Sequence, residues 1–205
     1  MVLTSNGRIR MSMLLAIEGI DGSGKSTLAR GLTAALRRRG CRVALVSEPS
    51  SGTFGRRARA FGADRPLSAA LFFTMDRTLV RPALEQALRT HDLVIQDRSF
   101  YSTLAYQGGQ IPRALRLELG QLEREVARVP DHVLLLHGPV DLALQRVRTR
   151  SRTVHPLEKR RLLARVQAEY LALARKEPAR FTRLPFAMTG PEILELALRA
   201  LDPWV

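Results

Sequence analysis

The sequence contains almost no cysteine. Cys41 is the single one in 205 residues, which excludes a disulfide framework within the chain and favours a reducing, cytoplasmic location. The sequence also has no apolar run near the roughly 20 residues that span a bilayer. Its first dozen residues lack the long apolar centre of a signal peptide. We therefore expect neither a membrane anchor nor a membrane partner.

Lysine is almost as scarce as cysteine. Lys25, Lys159 and Lys176 are the only lysines, although the chain has 33 basic residues and a formal net charge of +14. A surplus of positive charge suits a polyanion such as nucleic acid. Here the surplus is almost entirely arginine and is scattered along the chain, as a GC-rich genome would also produce. We therefore expect no nucleic-acid partner.

Apolar runs alternate with helical patterns along the chain. The first four runs are short and almost continuously apolar, which is typical of parallel strands covered by helices on both faces. The alternation predicts an α/β fold with right-handed crossovers. Strands are predicted at 13–17, 42–46, 92–96, 132–136 and 181–186, and helices near 25–39, 66–90, 112–128, 140–150, 157–177 and 191–200.

The length favours one domain with enough chain to bury a core. We expect residues 13–205 to form this domain. Residues 1–12 are polar and are expected to be a flexible extension, with Met11 or Met13 as a possible true start.

The stretch IEGIDGSGKST, residues 17–27, satisfies the pattern G-x-x-x-x-G-K-[ST] between a predicted strand and a predicted helix. Glycines let the backbone wrap around phosphates, and the helix N-terminus favours negative charge. A glycine-rich turn without a ligand would not need Lys25 and Ser26 at these offsets. The stretch therefore predicts a nucleoside-triphosphate site. The expected ATP-binding residues are Gly19, Asp21, Gly22, Ser23, Gly24, Lys25, Ser26 and Thr27.

A carboxylate follows the third predicted strand. Asp97 ends the stretch LVIQD, and the carboxyl ends of parallel strands face the ligand crevice of an open α/β sheet. Asp97 and Ser26 are therefore the predicted Mg²⁺ site, with Asp97 acting through water. The alternative for Asp97 is a helix N-cap. Arg98, beside it, is expected to hold a phosphate.

Four further stretches carry information about the acceptor: SEPSSGTFGRRAR at 47–59, ALFFTMDR at 70–77, DRSFYSTLAYQGG at 97–109 and LQRVRTRSR at 144–152. Together with IEGIDGSGKST, they resemble the thymidylate kinase family in the right order over roughly residues 13–200. The resemblance implies a P-loop kinase fold, with a five-stranded parallel sheet, helices on both faces and a small helical lid at about 144–157. It also implies an enzyme that transfers the γ-phosphoryl group of ATP to dTMP, with Mg²⁺. It further implies a homodimer, for which the segment 68–89 is a candidate interface.

The resemblance assigns roles to the acceptor residues. Phe73 would stack on the thymine ring, Arg77 would hydrogen-bond the base edge, and Tyr106 would pack under the deoxyribose. Taken alone, Phe73 and Tyr106 would more often be core residues. The other expected contacts are those of Glu48, Thr103 and Gln107 with the nucleotide, and of Arg59 and Arg98 with the acceptor phosphate.

The stretch that resembles the family's lid contains Arg146 and Arg150, which lie four residues apart and so share one helix face. Because loop positions 20–23 hold no basic residue, lid arginines are expected to neutralise the charge on the transferring group. The alternative is a solvated basic helix face. The predicted catalytic residues are Lys25, Asp97, Arg98, Arg146 and Arg150.

Several features depart from the family's pattern, among them two positions in the substrate loops. Ser99 stands where the family usually has Tyr or His, and Ser50 stands where it has Gly.

The triplet DRS also resembles deoxynucleoside kinases, in which Glu48 would be the general base for a sugar hydroxyl. The alternatives are therefore a deoxynucleoside kinase and, in another class, a P-loop protein that binds a nucleotide without catalysis. The arginines, FFTMDR and AYQG favour the monophosphate kinase.

Overall fold

A five-stranded sheet, in which every neighbouring pair of strands is parallel, forms the centre of the protein. The computed structural model describes residues 2–3, 9–10, 12–62, 64–148 and 156–204. The strands lie in the order β2-β3-β1-β4-β5. This sheet confirms the fold predicted from the alternating pattern. The strands are β1 (Met13–Gly19), β2 (Val43–Ser47), β3 (Leu93–Asp97), β4 (His132–His137) and β5 (Phe181–Pro185).

Helices connect the strands and cover the sheet. One helix, α1, packs on β2, β3 and α8, whereas α7 packs on α4, β4 and β5. In the described ranges no helix has the length and apolar character needed to cross a membrane. The helices are α1 (Lys25–Arg38), α2 (Thr53–Phe61), α3 (Pro66–Thr90), α4 (Phe100–Tyr106), α5 (Arg113–Val126), α6 (Val140–Arg148), α7 (Pro156–Lys176) and α8 (Gly190–Leu201).

The central strand β1 determines where the functional loops meet. Every residue of β1 is buried, as expected for a parallel strand covered on both faces. Ile17 of β1 is in register with Asp97 at the end of β3 and with Leu134 of β4. The carboxyl ends of these strands therefore lie at one edge of the sheet, where α/β proteins bind their ligands.

Two short helices were missed by the sequence prediction. Helix α2 follows β2 and helix α4 follows β3, and a 3₁₀ turn at Gly108–Gln110 continues from α4. Both helices are too short to give a long amphipathic period, and their residues were interpreted as substrate loops. In the structure these loops are partly helical, which gives their side chains fixed directions.

Parts of two predicted segments lie outside the described residues. For the predicted extension 1–12, the structure describes an antiparallel pairing of Val2–Leu3 with Ile9–Arg10 and residue 12. For the predicted lid at 144–157, it describes the end of α6 and the start of α7 but not residues 149–155.

Candidate active site

The phosphate-loop sequence forms a tight corner between β1 and α1. Gly22 has a φ of +83°, and a Cβ at this position would lie 2.2 Å from the carbonyl oxygen of Ala143 in α6. Gly24 also has positive φ and is the N-cap of α1, where no side chain caps the helix. Only glycine fits these positions without strain. Since no side chain caps the first turn of α1, its amides are suited to an anion.

Lys25 is a buried cation at the start of α1. Its side chain folds back over the loop, and Nζ donates a hydrogen bond of 2.8 Å to the carbonyl oxygen of Ile20. Burial, assisted by the positive charge of Arg98, lowers the pKa of Lys25 to about 7 although Asp21 and other carboxylates oppose the shift. A bound phosphate would supply the missing negative charge.

Ser26 and Asp97 form the pair that was predicted to hold a metal. Ser26 Oγ lies 2.5 Å from Asp97 Oδ2. The other carboxylate oxygen, Asp97 Oδ1, is buried and has no hydrogen-bond partner among the described residues. An orphaned buried carboxylate oxygen beside a serine hydroxyl fits the oxygen ligands that Mg²⁺ prefers. The N-cap alternative for Asp97 is wrong, because Ser99 is the residue that caps α4.

A cavity of about 320 Å³ lies beside this corner. Every residue predicted to contact the acceptor lines it, and the aromatic residues of the lining are Phe73 and Tyr106. These residues come from the segment after β2 and from α2, α3 and the segment after β3, so the fold unites stretches that are far apart in the chain. The lining consists of Asp21, Glu48, Pro49, Arg59, Phe73, Arg77, Arg98, Ser99, Ser102, Thr103, Tyr106 and Gln107.

Two lining residues, Arg77 and Glu48, belong to a buried ion cluster. The guanidinium donates through Nε to Glu48 Oε2 at 2.8 Å and forms a second ion pair with Glu123. Its Nη2 also reaches Thr103 Oγ1 at 3.3 Å. Burial raises the pKa of Glu48, although Arg77 opposes the shift. Burial alone would lower the pKa of Arg77, but Glu48 and Glu123 raise it above its ordinary value. The cluster therefore holds Arg77 in one orientation before any ligand binds.

Glu123 is a site residue that the sequence interpretation missed. It lies on α5, is fully buried, and accepts a hydrogen bond of 2.8 Å from Thr74 Oγ1. No motif contains it. A usable signal was the spacing Leu119–Glu123–Ala127, which puts a carboxylate in line with two buried apolar residues. A charge on such a stripe is buried only when it is paired.

Asp76 holds the loop that follows β2. Its carboxylate accepts from the backbone N and the Oγ of Ser50, at 2.7 and 2.6 Å, and from Gly55 N at 3.1 Å. Ser50 thus adds a hydrogen bond where the family's glycine could not. Arg59 donates to the carbonyl oxygens of Pro49 and Ser50 on the same loop. Its contact with the acceptor phosphate stays a prediction.

Arg98 joins the phosphate loop to the cavity. It forms an ion pair with Asp21, and its guanidinium carbon lies 5.4 Å from the centre of the Tyr106 ring. Tyr106 Oη accepts a hydrogen bond of 2.9 Å from Asp21 N. Burial tends to raise the pKa of Asp21, but Arg98 and Lys25 hold it below its ordinary value. Asp21, expected on the ATP side, also lines the cavity that is predicted to take the acceptor.

Of the two predicted lid arginines, the structure describes Arg146. Arg146 donates from both terminal nitrogens to the carbonyl oxygen of Phe186, at 3.3 Å each, and lies over that residue's ring. Arg150 lies outside the described residues. Contact of either arginine with a transferring phosphoryl group stays a prediction.

The geometry combines an amide-lined corner suited to a triphosphate with an aromatic and cationic pocket suited to a second nucleotide. Comparison with known proteins identifies the family. A family model described as thymidylate kinase matches residues 17–189.

Relatives from distant organisms bear the same description. A thymidylate kinase of Xanthomonas oryzae pv. oryzae (strain PXO99A) is 40% identical over 170 residues, which cover 78% of this chain and 71% of the relative. A probable thymidylate kinase of Metallosphaera sedula is 36% identical over 163 residues and 80% of each chain. The chain therefore belongs to the thymidylate kinase family.

Proposed function

We propose that the protein is a dTMP kinase that transfers the γ-phosphoryl group of ATP to dTMP and releases ADP and dTDP. The observation that carries this proposal is the cavity, which combines an aromatic wall, Phe73, with Arg59, Arg77 and Arg98 beside the phosphate loop. A phosphate oxygen of dTMP forms a bond to the γ-phosphorus while the bond from that phosphorus to the bridging β–γ oxygen breaks. Because the attacking oxygen is already an anion, the reaction needs cations and alignment rather than a general base.

Residues of the corner would bind the donor. The loop amides and Lys25 would hold the β- and γ-phosphates, and Ser26 and Asp97 would hold Mg²⁺. When bound, Mg²⁺ would neutralise phosphate charge and orient the donor. On the acceptor side, Arg98 would hold the monophosphate with its forked donors.

The arrangement around Glu48 supports the monophosphate kinase over the deoxynucleoside kinase. Both carboxylate oxygens of Glu48 are already engaged: Oε1 accepts from Gln96 Nε2 at 2.6 Å and Oε2 accepts from Arg77. These contacts direct lone pairs of Glu48 toward Gln96 and Arg77 and leave fewer of them for the hydroxyl that a general base must deprotonate. Glu48 is instead tied into the buried cluster, where it positions Arg77.

We also propose that the protein is a homodimer in the cytoplasm. Leu67, Leu71, Met75 and Leu79 recur every fourth residue on α3 and are exposed by 39 to 65%. Such a stripe of apolar residues on one face suits a second copy of the same helix. Leu71→Asp should convert the dimer to a monomer in analytical ultracentrifugation. Leu117→Asp, at an exposed leucine of α5, is the control and should leave the mass unchanged.

The catalytic proposal is tested by measuring ADP formation with Mg²⁺-ATP and a panel of acceptors. The panel contains dTMP, dUMP, other nucleoside monophosphates and thymidine. We expect the highest kcat/KM with dTMP. Faster turnover of thymidine would instead establish a nucleoside kinase, and ADP formation that no acceptor stimulates would leave only nucleotide binding.

A further inference from the structure

A buried carboxylate outside the cavity lining contacts two of the residues that line the cavity, Ser99 and Ser102. Glu18, the residue before Gly19 in β1, is fully buried. Its Oε1 accepts hydrogen bonds of 2.7 Å from both the backbone N and the Oγ of Ser99. Its Oε2 accepts from Ser102 Oγ at 2.7 Å and from Tyr170 Oη at 2.8 Å. Four neutral donors thus satisfy one carboxylate, which makes a buried charge tolerable.

Two of these hydrogen bonds fix the backbone around Arg98. Among the described residues, Arg98 is the only non-glycine with positive φ, at +72°. A left-handed conformation costs a residue with a side chain about 1–2 kcal/mol, so surrounding contacts must impose it. Arg98 N donates to the carbonyl oxygen of Ile17 at 3.1 Å, and the next residue, Ser99, is held by Glu18. Consecutive residues of β1 therefore hold consecutive residues of the loop.

The other two hydrogen bonds act on the Arg98 side chain. Ser102 has one hydroxyl proton and donates it to Glu18, so its lone pairs remain to accept from Arg98 Nη1 at 3.2 Å. Tyr170, on α7, holds the same Glu18 oxygen, and its hydroxyl lies 2.8 Å from Ser102 Oγ. The guanidinium is held directly by its ion pair with Asp21. Through Ser102, its orientation also depends on Glu18, with which it forms no ion pair.

We infer that Glu18 is a positioning residue for Arg98: by binding Ser99, Ser102 and Tyr170, it aims the guanidinium at the acceptor phosphate. The inference rests on the proposed function, because it assumes that Arg98 holds an acceptor anion. Ser99 takes part in this arrangement through both its backbone N–H and its hydroxyl, which gives a physical role to a residue that departs from the family's pattern.

A double-mutant cycle tests the inference. Arg98→Ala should lower kcat/KM for the acceptor by about 10²–10³-fold, as loss of a charge-stabilising donor does. Glu18→Gln should lower it by about 10–100-fold through misplacement of Arg98. In the Arg98→Ala background, Glu18→Gln should cost less than about 3-fold, because it acts through a group that is already gone. Equal losses from Glu18→Gln in both backgrounds would overturn the inference.

A milder pair of variants covers the case in which Glu18→Gln fails to fold. Tyr170→Phe removes one donor to Glu18, whereas Tyr101→Phe removes a hydroxyl that donates to Glu177 at 2.8 Å. Both rings are almost completely buried. We expect similar losses of thermal stability, but an increase of about 3–10-fold in the acceptor KM for Tyr170→Phe alone. Equal acceptor KM values for the two variants would contradict the positioning role.

Failure of this inference can be distinguished from failure of the proposed function. The kinetic measurements use whichever acceptor of the panel the wild-type protein phosphorylates fastest. A wild-type preference for another acceptor would contradict the dTMP assignment, while the double-mutant cycle would still decide the role of Glu18. A wild-type protein that phosphorylates no acceptor would overturn both.

Discussion

The phosphate loop and the acceptor cavity lie side by side but are built in opposite ways. The loop is one continuous segment, residues 19–27, and much of its chemistry comes from backbone amides and glycine conformations. The cavity is built from side chains on separate elements that only the fold unites. A contiguous site can therefore be recognised from spacing alone, whereas a distributed site also needs supporting residues that no motif contains.

The two regions also treat buried positive charge differently. Lys25 in the loop has a backbone carbonyl as its hydrogen-bond partner, and burial lowers its pKa to about 7. Arg77 in the cavity is paired with Glu48 and Glu123, which raise its pKa. The loop is therefore suited to receive negative charge from a ligand. The positive charge of Arg77 is already compensated by these carboxylates, so the part of the cavity beside it suits a neutral base.

The largest loss of activity is expected from replacing Lys25 in the phosphate loop. Lys25→Ala should lower kcat by about 10³-fold or more, because the transferring phosphoryl group loses a buried cation. The fold should remain intact, as circular dichroism would check. Lys176→Ala, at an exposed lysine near the end of α7, is the matched control. Turnover near wild type in the Lys25 variant would remove this lysine from its assigned role.

The second prediction concerns Glu123, which supports Arg77 beside the cavity. Glu123→Gln should reduce the free energy of unfolding by about 3 kcal/mol, because removing one partner leaves a buried ion pair uncompensated. It should also raise the KM for dTMP more than that for ATP, since Arg77 loses its orientation. Denaturant unfolding and steady-state kinetics measure the two effects.

Glu125→Gln serves as the control for that variant, because Glu125 lies on the same helix with its side chain exposed. It should change neither quantity. Equal stability of the Glu123 and Glu125 variants would contradict the role assigned to the buried cluster.

A smaller effect is expected from replacing Phe73, the residue predicted to stack on the thymine ring. Phe73→Ala should weaken dTMP binding by about 1–3 kcal/mol, the usual contribution of a ring stacked on a base. Isothermal titration calorimetry would measure it. Phe72→Ala removes a neighbouring ring that stacks on Phe61 at 5.3 Å instead, so it should cost stability while dTMP affinity stays within a few-fold. Equal affinity losses would place the base elsewhere.

The smallest effect is a change in the protonation of Lys25 when Mg²⁺-ATP binds. With a pKa of about 7, Lys25 is largely neutral at pH 8 in the free protein. Phosphates would raise its pKa, so binding of Mg²⁺-ATP at pH 8 should take up close to one proton, and this uptake should fade below about pH 6. Calorimetry in buffers of different ionisation enthalpy measures the uptake. Lys25→Met should abolish it, and persistence of the uptake in that variant would assign the proton to another group.

Much of the fold could be predicted because parallel strands and long helices carry strong local patterns. Each of the five predicted strands is found within one or two residues of its predicted bounds, and α3 occupies the predicted 66–90. Helices α2 and α4 escaped prediction because short helices beside a binding site are stabilised mainly by tertiary contacts rather than by their own pattern. Asp76 with Ser50, and Glu18 with Ser99, hold the loops from which these helices begin.

The layered fold and the phosphate loop could be predicted from the sequence, because strand–helix alternation and glycine spacing follow the order of the chain, whereas the resemblance to a known family supplied the residues expected in the pocket. Only the tertiary structure decided which carboxylates support them. Glu18 is far from Arg98 in the chain, and Glu123 is far from Arg77, although each carboxylate helps to orient that arginine. A buried charge must find its partner in space, and the chain's order along the backbone does not say which partner the fold will bring within hydrogen-bonding distance.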